Sequence, residues 1–290
     1  MGIEDELQEK LLGFQRNELT EHHIYSRLAE VVRSPENREL LARIAQQELD
    51  HYQFWREHTG RELQPSRLQV WVYYLISRLL GLTFGLKLME RAEEEVQDHY
   101  AELRQVVPEV ETLIREEHQH EQTLLGLLDE EGLRYTGSIV LGLNDALVEL
   151  TGALAGLTLA LQNSRLIALT GLITGTAAAL SMAASEYLSV RAEGERKNPV
   201  RAAIYTGIAY ILTVAVLIAP YLALQDLYLS LGLTLAAAVV IIASFNYYLA
   251  VAQDTPFRRR FAEMAGLSLG VAAFSFGVGF VLRSLFGIDV

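Results

Sequence analysis

The chain has 290 residues, contains no cysteine and carries a formal net charge of −12 at pH 7. Without cysteine it can form neither a disulfide nor a thiolate zinc or iron–sulfur site. All of the net charge belongs to the first part of the chain, because residues 1–137 hold 27 acidic and 15 basic side chains whereas residues 138–290 hold 9 of each. This division predicts an acidic soluble domain over residues 1–135 and a membrane domain over residues 136–290.

Four helices are predicted in the soluble part from the spacing of its apolar residues, at about 5–33, 35–60, 68–104 and 108–131. Pro35 and Pro108 stand near the starts of two of them, where proline fits the first helical turn.

One apolar stretch of the soluble part, Leu68 to Leu86, resembles a membrane span. It contains Arg78 and is barely long enough to cross a bilayer. We interpret it instead as a helix that is partly buried or lies at the membrane interface, where aromatic side chains suit the headgroup level; these are Trp71, Tyr73 and Tyr74.

Two ExxH pairs occur on the predicted helices, Glu48/His51 and Glu117/His120. Residues three apart share a helix face, so each pair can bind one metal ion. A further acid precedes each pair by about one helix length, Glu18 in the first half and Glu90 in the second. Acids on apolar helix faces are costly unless paired or metal-bound. The pattern therefore predicts a metal site, and the alternative is a solvated acidic helix bundle.

This pattern resembles the ligand set of ferritin-like, rubrerythrin-type domains, in which two helices each give a Glu and two others each give an ExxH pair. The long link from Glu48 to Glu90 matches the crossover connection of that fold. The resemblance implies a di-iron site, with manganese as an open alternative. Its ligands would be Glu18, Glu48, His51, Glu90, Glu117 and His120, with Glu93 as a further or exchanging ligand. Whether Glu90 or Glu93 is the main ligand stays open.

Five apolar stretches follow, at about 138–160, 166–190, 203–224, 227–251 and 264–286. Each is near the ~20 residues that cross ~30 Å of hydrocarbon as a helix. Basic residues concentrate in the loops after the second and fourth stretches, which predicts that these loops are cytoplasmic. The N-terminal domain is then cytoplasmic and the C-terminus lies outside.

Carboxylates occur inside the first two predicted spans. Asp145 and Glu149 share one helix face, as do Met182 and Glu186. A charge near the bilayer centre costs roughly 2.5–3.5 kcal/mol, so these acids predict a cation path. Carboxylate oxygen with thioether sulfur suits Fe²⁺ better than Mg²⁺ or Ca²⁺. The alternatives are protonated acids packed within the bundle, or acids that lie nearer the interface.

The runs GLNDALVELTGALAGL and SMAASEYLSVRAE resemble the first two membrane helices of the vacuolar iron transporter family. The resemblance implies five membrane helices, a homodimer, and exchange of Fe²⁺ or Mn²⁺ for protons. It places Asp145, Met182 and Glu186 on the ion path, to which helical spacing adds Glu149. Plant and fungal members carry a long metal-binding segment after the second helix, and here only about a dozen residues stand in its place.

Together these features predict an all-α protein, a ferritin-like four-helix bundle followed by a five-helix transmembrane domain, similar to the membrane-bound ferritin-like branch of that family. The expected function is export of Fe²⁺, with Mn²⁺ as an alternative cargo, by exchange with protons, after a soluble domain has captured or sensed the metal. The alternative is a membrane-tethered ferroxidase, so enzymatic activity stays open. We expect an integral protein of a prokaryotic cell membrane, acting as a homodimer and without a nucleic-acid partner.

Overall fold

The structure is a computed structural model that describes residues 3–97, 110–113, 115–117, 135–194, 197–253 and 255–286. Within these ranges every regular element is a helix and none is a strand, which confirms the all-α prediction. The chain separates into two compact units, Met1–Glu130 and Glu131–Val290.

The first unit contains helices α1 (Ile3–Val31), α2 (Pro35–Thr59), α3 (Arg67–Leu80) and α4 (Leu82–Gln97). Residues 110–113 and 115–117 are also helical. The turn between α1 and α2 is fixed by Ser34, whose hydroxyl accepts a hydrogen bond from the Asn37 amide at 3.2 Å and so caps α2. Gln15 of α1 bonds to both Thr59 and the Arg61 carbonyl, and His22, further along α1, bonds to the Ala45 carbonyl. The two helices therefore run antiparallel with their inner faces together.

The core of the first unit is formed by apolar residues of α1, α2 and α4, among them Ile24, Leu28, Leu41, Ile44 and Leu86. A second cluster joins Phe14 of α1 and Trp55 of α2 to Val110 and Leu113, which places the 110–117 segment against the α1–α2 pair. This packing brings Glu117 close to the acidic side chains of α1 and α2.

The prediction of a single helix over 68–104 is wrong, because the helix is interrupted at Gly81. This glycine has φ 103° and ψ 149°, so α3 ends at Leu80 and α4 begins at Leu82. The two helices pack so closely that a Cβ added at Gly85 would overlap the Ser77 side chain. With 14 residues, α3 is about 21 Å long and cannot span ~30 Å of hydrocarbon, in agreement with its interpretation as a helix that does not cross the membrane. Most of the helix predicted over 108–131 lies outside the described residues.

The second unit contains α5 (Thr136–Leu161), α6 (Ser164–Glu193), α7 (Pro199–Ala223), α8 (Leu227–Ala252) and α9 (Phe257–Phe286). Among the described residues these are the five helices that are long and apolar enough to cross a membrane, with mean hydropathies of 1.4 to 2.2. They confirm the five predicted spans. Asn163, Asn198 and Asp226 cap the starts of α6, α7 and α8 with side-chain oxygens.

Glycines allow the membrane helices to approach one another closely. A Cβ added at Gly142 of α5 would overlap the Thr206 carbonyl oxygen of α7. Gly152 and Gly156 of α5, which are four residues apart, pack closely against α9 at Val271 and Ser275. The glycine pair at 266 and 270 has open space around it instead.

Candidate metal centre and membrane carboxylates

Four of the predicted ligands converge in the first unit: Glu18 from α1, Glu48 and His51 from α2, and Glu117. One ligand atom from each lies within 4.8 Å of the others. Nδ1 of His51 is 2.7 Å from Oε1 of Glu117, 3.4 Å from Oε2 of Glu48 and 3.7 Å from Oε2 of Glu18. Three carboxylates thus surround a single imidazole nitrogen.

The local helix geometry explains this convergence. Glu48 and His51 are three residues apart on the inner face of α2, and Glu18 faces them from the antiparallel α1. All three are buried, with exposed fractions of 4% for Glu18, 1% for Glu48 and 4% for His51. The indole nitrogen of Trp55, one turn beyond His51, donates a hydrogen bond of 3.1 Å to Oε1 of Glu18. That bond orients the carboxylate so that its other oxygen faces His51.

The carboxylates of the cluster create an electrostatic environment that favours a cation. Burial raises the pKa of Glu18 well above its usual value, a hydrogen bond with His51 partly offsets this, and the charges of Glu117 and Glu48 raise it further. Burial alone would lower the pKa of His51, but hydrogen bonds with Glu117, Glu18 and Glu48 outweigh burial and raise it. The protonated imidazole therefore balances the carboxylates in this state. A divalent cation that displaced this proton would bring comparable positive charge, and a donor set of three carboxylates and one imidazole fits Fe²⁺, Mn²⁺ or Zn²⁺.

A fifth side chain, Glu116, was missed by sequence reasoning. Its Oε2 lies 3.2 Å from Nε2 of His51, on the ring edge opposite Glu18, Glu48 and Glu117. A carboxylate that accepts a hydrogen bond from Nε2–H makes Nδ1 the nitrogen that would bind a metal, which is a common way to orient a metal-binding histidine. The only signal for this role in the sequence is its position next to Glu117, because the ExxH pattern does not include it.

The other half of the predicted ligand set falls outside what the structure describes. The backbones of Glu90 and Glu93 belong to α4, but their side chains lie outside the described residues, as does the whole of His120. A second metal position, and the choice between Glu90 and Glu93, remain predictions.

In the second unit, each of the three predicted carboxylates is placed on a packed helix. Asp145 on α5 is half-buried, and one turn later Glu149 accepts a hydrogen bond of 2.6 Å at Oε2 from the Tyr210 hydroxyl of α7. On α6, Oε1 of Glu186 accepts a hydrogen bond of 2.6 Å from the Ser138 hydroxyl of α5. Glu149 and Glu186 thus bond to neighbouring membrane helices. Tyr210 and Ser138 are partners that sequence reasoning missed.

Two further features lie beside these acids. Met182, one turn before Glu186, is partly buried against the main apolar cluster of the unit. Asn144, next to Asp145, has a buried side-chain oxygen with no hydrogen-bond partner in the part of the chain that the structure describes. A buried oxygen of this kind is costly unless something binds it. That the four predicted residues form one path remains a prediction.

Comparison with known proteins gives one finding, which concerns the membrane unit. No curated protein matches the chain significantly. Residues 136–198 match the VIT family, and this segment covers α5, α6 and all four predicted path residues. The match and the five apolar helices together support a membrane domain of the vacuolar iron transporter type in the second unit.

Proposed function

We propose that this protein exports Fe²⁺ from the cytoplasm by exchange with protons, and that its first unit is a ferritin-like domain that captures the metal beforehand. The observation that carries the proposal is the match of residues 136–198 to the VIT family, within which carboxylates stand on two membrane helices. A helix that served only as a membrane anchor would gain nothing from such acids, each of which costs several kcal/mol to place in hydrocarbon.

The proposed exchange depends on the chemistry of a carboxylate in a membrane helix. Asp145 and Glu149 can each hold either a cation or a proton, and the two occupancies exclude one another. A site that loads metal on one side and protons on the other couples the two flows. The Tyr210 hydroxyl of α7 donates a hydrogen bond to Oε2 of Glu149, which holds this carboxylate in position on α5.

The proposed capture depends on the first unit. The connection between α6 and α7 runs only from Gly194 to Asn198, so it has no room for a metal-binding segment of its own. The three acids around His51, of which Glu18 and Glu48 are buried, supply one metal-binding cluster in the same chain. Their donor set accepts Mn²⁺ as well as Fe²⁺, so Mn²⁺ is an alternative cargo.

The test is metal flux through the full chain reconstituted in proteoliposomes, with Fe²⁺ kept reduced and with Mn²⁺ and Zn²⁺ for comparison. Flux of Fe²⁺ that is driven by an opposing proton gradient and abolished by collapsing the gradient supports the proposal. Met182→Leu preserves volume and removes only the sulfur. It should reduce Fe²⁺ flux more than Mn²⁺ flux, because the harder ion gains less from sulfur.

The competing function is oxidation of Fe²⁺ at the first unit, with the second unit as an anchor. The buried carboxylate and imidazole cluster is the observation that favours it. Absence of protein-dependent flux for every metal, together with aerobic Fe²⁺ oxidation that Glu48→Gln abolishes and Glu57→Gln preserves, would replace the transporter proposal with this one.

A further inference from the structure

Helix α3 presents an apolar face that is largely exposed in the part of its unit that the structure describes. Five large apolar side chains are exposed to between 44% and 76%: Leu68, Trp71, Val72, Leu75 and Leu79. At 3.6 residues per turn these positions fall in one stripe about 100° wide. The opposite side of the helix is occupied by Val70 and Ser77, which are buried, and by Tyr73 and Tyr74, which pack on the core of the unit. The helix is thus amphipathic, and its outer face is largely exposed, with the Arg27 side chain lying over Trp71.

The charge around this stripe is opposite to that of the rest of the unit. Residues 63–89 contain no Asp or Glu but include Arg67, Arg78 and Lys87, within a part of the chain that holds 27 acidic residues. Arg67 and Arg78 lie along the same flank of the stripe, because 11 residues correspond to about three turns. The helix therefore offers hydrocarbon contact along its length with cationic groups beside it.

A basic cavity adjoins the N-terminal end of the stripe. It has a volume of about 430 Å³, and its lining includes His23, Arg27, Gln64, Arg67 and Trp71. The Arg27 guanidinium lies over the Trp71 ring, with its central carbon 5.4 Å from the ring centroid. Two guanidinium groups and an indole at the border of an apolar face match a headgroup phosphate at the border of a hydrocarbon layer.

We infer that α3 binds the surface of a lipid bilayer, with the Leu68–Leu79 stripe among the acyl chains and an anionic headgroup in the Arg27/Arg67 cavity. The arginines beside the stripe favour a lipid bilayer over a second copy of the chain as its partner. Two α3 faces packed together would bring their arginines into proximity, whereas an anionic bilayer supplies both the apolar layer and the opposite charge. The second unit of the same chain holds five helices that are long and apolar enough to span a membrane.

Tryptophan fluorescence in lipid nanodiscs tests the inference on the full chain. The protein has two tryptophans, of which Trp55 is fully buried and Trp71 is 59% exposed. Brominated phospholipids quench only an indole that reaches the acyl region. Replacing ordinary lipid with brominated lipid should lower the emission of the wild type, and Trp71→Phe should remove that loss. No bromine-dependent loss in the wild type, or an equal loss in Trp71→Phe, would overturn the inference.

The headgroup part has its own test. Quenching should be stronger in discs that contain phosphatidylglycerol than in discs of phosphatidylcholine alone. The double variant Arg27→Gln/Arg67→Gln should quench equally in both. If the double variant keeps the preference of the wild type for phosphatidylglycerol, the cavity is not a headgroup site.

A second copy as the occupant is distinguished by cysteine placement, since the natural chain has none. A spin label on Leu75→Cys should be accessible to dissolved oxygen and shielded from a water-soluble nickel reagent, while a label on Arg43→Cys, exposed on α2, should show the reverse. Efficient disulfide formation between two Leu75→Cys chains, with the label shielded from both reagents, would overturn the bilayer inference in favour of a dimer.

Discussion

Metal binding at the Glu18/Glu48/His51/Glu117 cluster should raise the melting temperature of the first unit, and Glu48→Gln should remove that rise. A metal present at about 100 times its dissociation constant stabilises the folded state by about 2.7 kcal/mol. The unit Met1–Glu130 has an unfolding entropy of about 0.27 kcal/mol/K, taking about 2.1 cal/mol/K per residue. The expected rise is therefore about 10 °C. Glu48 is 1% exposed, so its neutral analogue keeps the packing and removes one anionic ligand.

Intrinsic fluorescence of the full chain in detergent is a suitable assay, because Trp55 and Trp71 both belong to the first unit and the second unit contributes no tryptophan. Mn²⁺ is the probe, since it is not oxidised under these conditions. The matched control is Glu57→Gln, an exposed acid on the same helix, which should keep the full rise. If Glu48→Gln shows the same rise as the wild type, the metal binds elsewhere and the assignment of this cluster is wrong.

Three further predictions concern pH, the membrane acids and topology. Mn²⁺ binding should weaken as pH falls, because protons compete with the metal for Glu18 and His51, whose pKa values are both raised. An affinity that stays constant from neutral to mildly acidic pH in metal titrations would contradict this. Tyr210→Phe removes only the hydroxyl that bonds Glu149, a hydrogen bond worth about 0.5–1.5 kcal/mol, so metal flux in proteoliposomes should fall by up to about tenfold while Tyr205→Phe retains it. In intact cells, an impermeant thiol reagent should label Asp289→Cys and spare Gln8→Cys, and the reverse pattern would invert the predicted orientation.

The features that were predictable from sequence are those fixed by local geometry. The five spans follow from apolar length, since a helix must supply ~20 residues to cross the hydrocarbon. The pairing of Glu48 with His51 follows from the i,i+3 spacing of a helix, and their burial follows from the apolar residues that flank them. Glu18 was predictable because it interrupts an apolar face of α1, where an acid is costly without a partner.

The features that were missed depend on tertiary packing. The apolar run around Gly81 reads as one continuous helix, and only the backbone conformation of that glycine shows the break between α3 and α4. Glu116 lies on the rim of the cluster, and its contact with His51 depends on how the 115–117 segment packs against α2. Tyr210 reaches Glu149 because Gly142 lets α7 approach α5 closely, a relation between distant parts of the chain that no periodicity reveals.

The most direct test of the transport proposal is Fe²⁺ flux through Asp145→Asn in proteoliposomes at matched protein density. Asn keeps the size of the side chain but cannot ionise, so it can neither balance the cation nor exchange a proton. Glu263→Gln, an exposed acid of the same unit, is the control and should transport normally. We predict that Asp145→Asn nearly abolishes flux while the first unit keeps its metal-dependent melting shift. Full flux through Asp145→Asn would contradict the proposed path.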